Sequence, residues 1–599
     1  MGQTFITASQ IDNVEHVFDT VALMVASTDL AVGDRVRTLG YTTIGDGGGN
    51  DYQIVAAGTG TADGGEYIDL ATHQAKGLFH GGIYNAKQWG VVADGTTDDT
   101  TDIQSFFSYI STNSKEGILP HEDTINVTNN LYIWGGASLK GKATIKLSAD
   151  PTYNYFMICG AASYGAAAQD CTGRFEGFKI DIQSPSIQEI GLFIGSANKL
   201  KVTDVEVATN GKCSNKGIGS IPNNSFVTGA SRDSITVNRC LITGAASGDG
   251  EPFGFASCNN LRFQNNSVID GKAYDDIGFH ACSRVFISNN YMKSWDGRLY
   301  VSDSKAVKIH NNTIHYESTS QGMGIYIGSE STANPDFCDD IDIAGNTVWY
   351  GSSITGFGYG IRIESGRNVR IRGNYLKNDS AQDAGSIYVE KQNLVGWVDP
   401  SSVDSNDAPD SHTVLISNNI CEGKIRCQGG DGIKILSNEA DKFEVESPST
   451  ISEFAGNVST SGTVTDNQFD ATNKEATTKL FSRCITNAGA AYVKGKEYNG
   501  AGGTTFYCQR AVAVSHFKVS STTTISAGFY QIELLLNGVK TGATKTYNGT
   551  STQVSFIASA GTKDYIADVG DTLEVQVKTN NGTPTPNDVV VEVYGFELT

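Results

Sequence analysis

Apolar and polar positions alternate along this chain with a period of two, in short runs. Gly360-Ile-Arg-Ile-Glu364 and Asn368-Val-Arg-Ile-Arg372 show the pattern. Such alternation predicts strands with one buried face. Gly, Asn, Ser or Asp separates the runs, and few stretches carry a helical period. The runs belong to a drifting repeat that closes on asparagine. It recurs as Phe263-Gln-Asn-Asn266, Ile287-Ser-Asn-Asn290, Ile309-His-Asn-Asn312, Ile343-Ala-Gly-Asn346, Ile371-Arg-Gly-Asn374 and Ile416-Ser-Asn-Asn419, with final asparagines 24, 22, 34, 28 and 45 residues apart. A period of twenty-odd residues, lengthened where loops are inserted, predicts a solenoid. Two or three strands per turn make it a right-handed parallel β-helix, so the fold class is all-β. Asparagine suits a recurrent bend because it tolerates left-handed backbone angles and its amide can bond along a ladder. The column describes scaffold and says nothing of substrate.

The pattern divides the chain. Residues 1–85 predict a small N-terminal domain, with a helix from Asn13 to about Ser27 through Val14, Val17, Phe18, Val21 and Leu23, then strands joined by turns such as Gly45-Asp-Gly-Gly-Gly-Asn50. Residues 86–115 predict a strand and a helix starting near Thr97 or Asp98, where Thr and Asp are favourable caps. That helix can plug the open end of the solenoid, whose edge would otherwise invite aggregation. The β-helix spans 116–475. Residues 476–599 hold longer strands such as Gly528-Phe-Tyr-Gln-Ile-Glu-Leu-Leu-Leu536, joined by Asn-Gly turns. They predict a jelly-roll-like β-sandwich, serving trimerisation or carbohydrate binding.

Composition narrows the partners. A net charge of −21 over 599 residues argues against nucleic acid, which needs a basic stripe. No run of eighteen apolar residues predicts membrane insertion, and the start lacks a basic-then-apolar leader. Eleven cysteines are scattered without a CxxC pair, and Cys258 and Cys282 fall at equivalent places in adjacent repeats. Stacked free thiols are expected there, with no disulfide, no metal site and no cofactor.

One segment carries a resemblance. Trp89-Gly-Val-Val-Ala-Asp-Gly-Thr-Thr-Asp-Asp99 resembles the opening motif of the pectate-lyase-like β-helix superfamily. Phe18-Asp-Thr-Val-Ala22 and Val32-Gly-Asp-Arg-Val-Arg-Thr-Leu-Gly-Tyr41 resemble the small domain that precedes this motif in many bacteriophage tailspikes. The order of domains is similar to a tailspike over nearly the whole chain. The resemblance implies a homotrimer on the virion tail, made in the host cytoplasm, bound to other phage tail proteins and acting outside the cell. It implies binding and cleavage of a capsular or lipopolysaccharide O-antigen glycan, and leaves the sugar open. A polysaccharide lyase and a non-catalytic glycan-binding spike are the alternatives to a hydrolase.

Glycoside hydrolysis takes two carboxylates, one acid and one base or nucleophile. In a β-helix, outward residues at one strand position stack about 4.8 Å apart from coil to coil. Aligned on the asparagines, Phe253/Phe255, Ile277/Phe279, Leu299/Val301, Ile325/Ile327 and Ile361/Ile363 become inward pairs. The outward position between them reads Gly254, Gly278, Tyr300, Tyr326, Arg362. Glu364 is the leading catalytic carboxylate, with Glu330 as its expected partner from the neighbouring coil. Arg362 can bind an acidic sugar, while Tyr300 and Tyr326 can stack on sugar rings. Glu364 and Arg362 can equally form an ordinary surface pair. A second cluster holds Glu251, Asp275, Asp276, Asp296 and Arg298 with His280, in which Asp276 and Glu251 are the catalytic candidates. Arg298, His280 and Tyr300 would serve a lyase by providing a cation for a uronate and a base. Trp295, Tyr274, Trp349 and Tyr350 are candidate sugar platforms.

Overall fold

The computed structural model describes residues 16–599 apart from 187, 222–229, 245–250, 272–276, 295–297, 317–321, 329–337, 352–357, 365, 380–385, 390–411, 428–431, 446–450, 456, 467–477 and, beyond 485, most of the segments between strands and the last residue. It divides into two compact units, residues 1–300 and 301–599.

The first unit opens with a five-stranded sheet in the order His16–Phe18, Arg35–Thr38, Asp51–Ala56, His73–Leu78, Tyr67–Asp69. Its core is Val21, Met24, Val36, Tyr52 and Ile54. The helix expected from Asn13 is shorter, Val21–Ala26, capped by the Thr20 hydroxyl on the Leu23 amide. Val17 and Phe18 are drawn instead into a parallel strand beside Arg37 and Thr38, an override of helical period by pairing. The plug helix is Thr100–Thr112. It starts later than expected because Asp94 takes the Thr96 and Thr97 amides at 2.8 and 2.7 Å. Buried Asp99 accepts the Val92 and Ala93 amides at 2.7 and 3.0 Å, and its pKa is raised because burial outweighs those bonds. Phe106 and Phe107 face inward, with Phe106 5.1 Å from buried Trp89 and closed over Gly117, where a side chain would collide with it.

Three parallel ladders follow, one strand of each per coil. The ladder that carries the candidate residues contains Tyr155–Cys159, Gln188–Ile194, Cys213–Gly219, Glu251–Ala256 and Ile277–His280. Asn266 donates its backbone and side-chain N–H groups to Asn290 Oδ1 at 2.9 and 3.1 Å. The left-handed residue is the one before each ladder asparagine, as at Asn265 and Asn289 with φ of 56° and 55°. One position makes the bend and the next satisfies the buried amides. Cys258 and Cys282 are buried thiols outside any disulfide, as expected. The expectation of no disulfide is corrected: Cys159 and Cys171 are bonded, with Cα atoms 6.3 Å apart. These cysteines are not at equivalent repeat positions. The segment between them folds back to bring them together, a contact that repeat alignment does not register.

The second unit repeats the three ladders, with Gly322–Gly328, Gly358–Ile363, Ser386–Val389, Ile420–Cys427 and Glu439–Val445 stacked in one of them. Its asparagine ladder runs through Asn312, Asn346, Asn374, Asn419, Asn438 and Asn457. Glycines take the left-handed position at Gly345 and Gly373, with φ of 65° and 61°. Beyond the solenoid, two antiparallel sheets form. One is built on Thr478–Ile485, Val589–Leu598 and Ala511–Ser521, the other on Thr572–Asn580, Phe529–Leu536 and Val539–Tyr547. Among the described residues no helix is long and apolar enough to cross a membrane.

Candidate functional site

The inward pairs fall where the alternation puts them. Phe253 and Phe255 stack on Ile277 and Phe279, and Ile325 and Ile327 on Ile361 and Ile363, all buried. That fixes what faces outward from the same strands.

In the first unit the outward column contains Gly219, Gly254 and Gly278 in three successive coils. With no side chains there, the wall has a flat floor, and longer side chains lie across it. A Cβ at Gly254 or Gly278 would collide with the Glu251 carboxylate. Glu251 is buried between two partners: Lys216 Nζ bonds Oε2, and His280 Nε2 lies 2.5 Å from Oε1. Burial opposes ionisation of Glu251, but His280 and Lys216 outweigh it and hold its pKa at about 2. At neutral pH Glu251 is therefore a fixed anion that orients His280 and has no proton to give. Tyr300 meets His280 edge to face at 5.2 Å, and the Arg298 guanidinium lies 4.4 Å over the Tyr300 ring. The structure thus gathers Glu251, His280, Tyr300 and Arg298 and adds Lys216, which sequence reading missed. The signal was present, since Lys216 sits in register with Glu251 one coil earlier. Asp276 and Trp295, with Tyr274, Asp275 and Asp296, lie outside the described residues.

In the second unit the same kind of column carries large side chains. Tyr326, Arg362, Tyr388, Arg426 and Glu444 occupy one register position in five successive coils. They stack along the axis. Arg362 lies 5.4 Å over both Tyr326 and Tyr359, Tyr359 stacks on Tyr388 at 4.9 Å, and Arg426 lies 5.4 Å over Tyr388. Cation–π contacts of this kind contribute about 0.5–2 kcal/mol each. Glu364 is clamped, with the Tyr326 hydroxyl donating to Oε2 and Arg362 to Oε1. Farther along, Glu444 meets Lys442 at 2.7 Å, Lys424 at 3.4 Å and Arg426 at 3.5 Å. Burial opposes its ionisation, yet Lys442 and Lys424 prevail and hold it below the usual carboxylate range. Tyr388, Arg426, Lys424 and Lys442 were also missed, although Ile387-Tyr-Val389 and Ile425-Arg-Cys427 repeat the in-out-in pattern. Glu330 lies outside the described residues.

The aromatic candidates separate on inspection. Tyr350 is wholly buried and stacks on Tyr316 inside the coil. Trp349 is 36% exposed, but His315 stacks on its ring at 4.0 Å and the Lys377 ammonium lies 4.8 Å from its centroid. Tyr300 and Tyr326 are likewise packed against their own neighbours. Among the described residues no group of three or more His, Cys, Asp or Glu is arranged to hold a metal ion.

The family described as right-handed β-helix region matches residues 226–397. That stretch is a right-handed β-helix. No curated protein shows significant similarity to the sequence. Among solved structures, a tailspike from the Acinetobacter baumannii bacteriophage Fri1, described as a capsular polysaccharide depolymerase, is 12% identical, covers 97% of each chain and has a TM-score of 0.37. The A-module of a mannuronan C-5 epimerase from Azotobacter vinelandii is 14% identical, covers 65% of this chain and all of its own, and has a TM-score of 0.41. The tailspike of Acinetobacter phage vB_ApiP_P1 is 12% identical, covers 98% and 99%, and has a TM-score of 0.34. At such TM-scores the likeness bears on neither activity nor site.

Proposed function

We propose that this chain is a tailspike-type protein that binds a bacterial surface polysaccharide and cleaves it within the chain by hydrolysis. The carrying observation is the clamped Glu364 within a column of aromatic and cationic side chains on the outer wall. A carboxylate whose two oxygens are held by a phenol and a guanidinium is positioned to act as base or nucleophile beside the groups that recognise sugars. Glu330 is proposed as the acid that completes the pair. The Trp89–Asp99 motif and the tailspike-like domain order support the reading, and with it a homotrimer that acts outside the bacterial cell with other tail proteins.

The test is to incubate purified capsules and O-antigens with the protein and follow viscosity and product masses. Hydrated oligosaccharides of one repeat unit or its multiples are expected. Glu364→Gln should lower kcat by about 10²–10⁴-fold. Full activity in that variant would remove Glu364 from the chemistry, and intact polymer across a broad panel would leave a binding spike.

A second reading rests on the first unit. His280, oriented by the fixed anion of Glu251, stands beside Tyr300 and Arg298, a set suited to proton abstraction next to a uronate carboxylate. Unsaturated product ends, detected by their ultraviolet absorbance, would select this lyase reading over hydrolysis.

A further inference from the structure

One buried cation in the first unit plays no part in the glycan reading. Asp233, Asn259 and Ser283 bridge one another in successive coils, so the residues just before them, Arg232, Cys258 and Cys282, share one register position. Ala197 pairs with Arg232 from the coil before, and Cys171 with Ala197. The column therefore reads Cys171, Ala197, Arg232, Cys258, Cys282, a row of small buried side chains interrupted by one arginine. Arg232 is 7% exposed, and its Nε donates to Ile194 O at 3.2 Å. Among the described residues no carboxylate pairs with it.

A buried guanidinium without an anion is costly, and it does not shed its proton to escape that cost. What faces it is sulfur: the neighbours that offset the burial of Arg232 are Cys258 and Cys282. Cys258 is itself faced by Arg232 from the coil before, by Cys282 from the coil after, and by Ser220, whose Oγ lies 3.6 Å from its Sγ. The hydrogen bond from Cys282 draws the Cys258 thiol below its ordinary range, with Ser220 and the Arg232 charge adding to it against burial. Burial pushes the Cys282 thiol well up. One sulfur is thus prepared to be the anion and its neighbour to keep its proton. Each cysteine follows an exposed bend residue, Ser257 or Ala281, with φ of 54° and 50°, so each is one residue from the solvent. In-register residues of adjacent coils stand about 4.8 Å apart, within the range of about 4.4–6.8 Å between Cα atoms that a disulfide spans.

We infer that Arg232, Cys258 and Cys282 form a peroxide-sensitive thiol site, in which Cys258 attacks as the thiolate and Cys282 resolves the product into a disulfide that ties two coils together. The Cys258 sulfur takes one oxygen of hydrogen peroxide, breaking the O–O bond, and hydroxide leaves. The Cys282 thiol then attacks the sulfur of the Cys258 sulfenic acid. An S–S bond forms, and the thiol proton departs with the hydroxyl as water. The two sulfurs together lose two electrons, and the peroxide gains them. Arg232 holds the charge of the attacking sulfur and is a positioning residue.

The test treats the natural protein with one equivalent of hydrogen peroxide, blocks the remaining thiols after denaturation, and maps the peptides by mass. A Cys258–Cys282 linkage is expected ahead of oxidation at any other cysteine. Its rate should stay level from about pH 6 to about pH 8, an interval over which an ordinary thiol of pKa about 8.5 gains about 75-fold in thiolate. Cys282→Ser keeps a hydrogen-bond donor but cannot resolve, so the Cys258 sulfenic acid should persist and be captured by a 1,3-diketone. Arg232→Gln should slow the linkage about tenfold or more, and Arg232→Lys should recover part of that loss. If the arginine variants fold poorly, the rate profile of the natural protein decides alone. Oxidation of other cysteines first, no linkage at all, or a rate that climbs with pH as an ordinary thiol's does overturns the inference.

Discussion

The outer walls of the two units solve one geometric problem in opposite ways. In both, strands stack in register and present one outward residue per coil. In the first unit three successive outward residues are glycines, so Lys216 and Glu251 fold down across a flat floor and become buried beside half-buried His280. In the second, tyrosines and arginines occupy the column and stack on one another, leaving partly exposed cations along the wall. The first arrangement buries charge in a tight network with a carboxylate flanked by two partners. The second builds a continuous stack of rings and guanidiniums. A run of small residues on a solenoid wall therefore marks a place where neighbouring long side chains will be desolvated.

This contrast can be broken most severely at Lys216. Lys216→Met should leave buried Glu251 with His280 as its remaining close partner and cost about 3–5 kcal/mol locally. Hydrogen exchange should report lost protection in 251–256 and 277–280, with the ladder of the second unit unchanged. Combining it with Glu251→Gln should restore much of the loss, since it removes the stranded charge.

Acid sharpens the same contrast. The Glu251 pKa is depressed to about 2 from an ordinary value of 4.5, so its stabilisation is complete above 4.5 and drains away as pH falls through 2. That amounts to about 3 kcal/mol by linkage. Melting followed from pH 5 to pH 2 should show a steeper loss in the natural protein than in Glu251→Gln. Parallel curves would mean that the Lys216–Glu251–His280 network adds nothing to stability.

Smaller effects are expected in the second unit. Asn346 donates to Ile309 O at 2.8 Å and to Asn374 Oδ1 at 2.9 Å while accepting from Asn312. Asn346→Ala should strand those buried groups at a cost of about 1–3 kcal/mol, seen as faster exchange in the flanking coils. Tyr326→Phe removes one of two donors to Glu364 and should cost about 1 kcal/mol, with a larger effect on glycan cleavage than on melting.

Much of this was legible because a solenoid is local. The asparagine spacing set the coils, the coils set the inward pairs, and the pairs brought Glu251 to His280 and Arg362 to Glu364 with Tyr326. Lys216 escaped because it lies upstream of the asparagine column, which the preceding coil replaces with Cys240, and the run from Tyr388 to Glu444 escaped because an inserted loop stretches the asparagine interval to 45 residues and hides the register. The Cys159–Cys171 bond escaped because a folded-back segment makes it, outside the repeat. The short helix at Val21–Ala26 shows strand pairing overriding apolar period.

By itself, then, the sequence determined the fold class, the ladder and which residues share a face, because alternation and repeat length act between neighbours in the chain and neighbours in the stack. Tertiary structure decided burial and partnership: that Glu251 is a desolvated anion between Lys216 and His280, and that the arginines of the second unit lie against tyrosine rings. Those outcomes depend on which side chain has room to lie down, and room is a property of the surrounding coils.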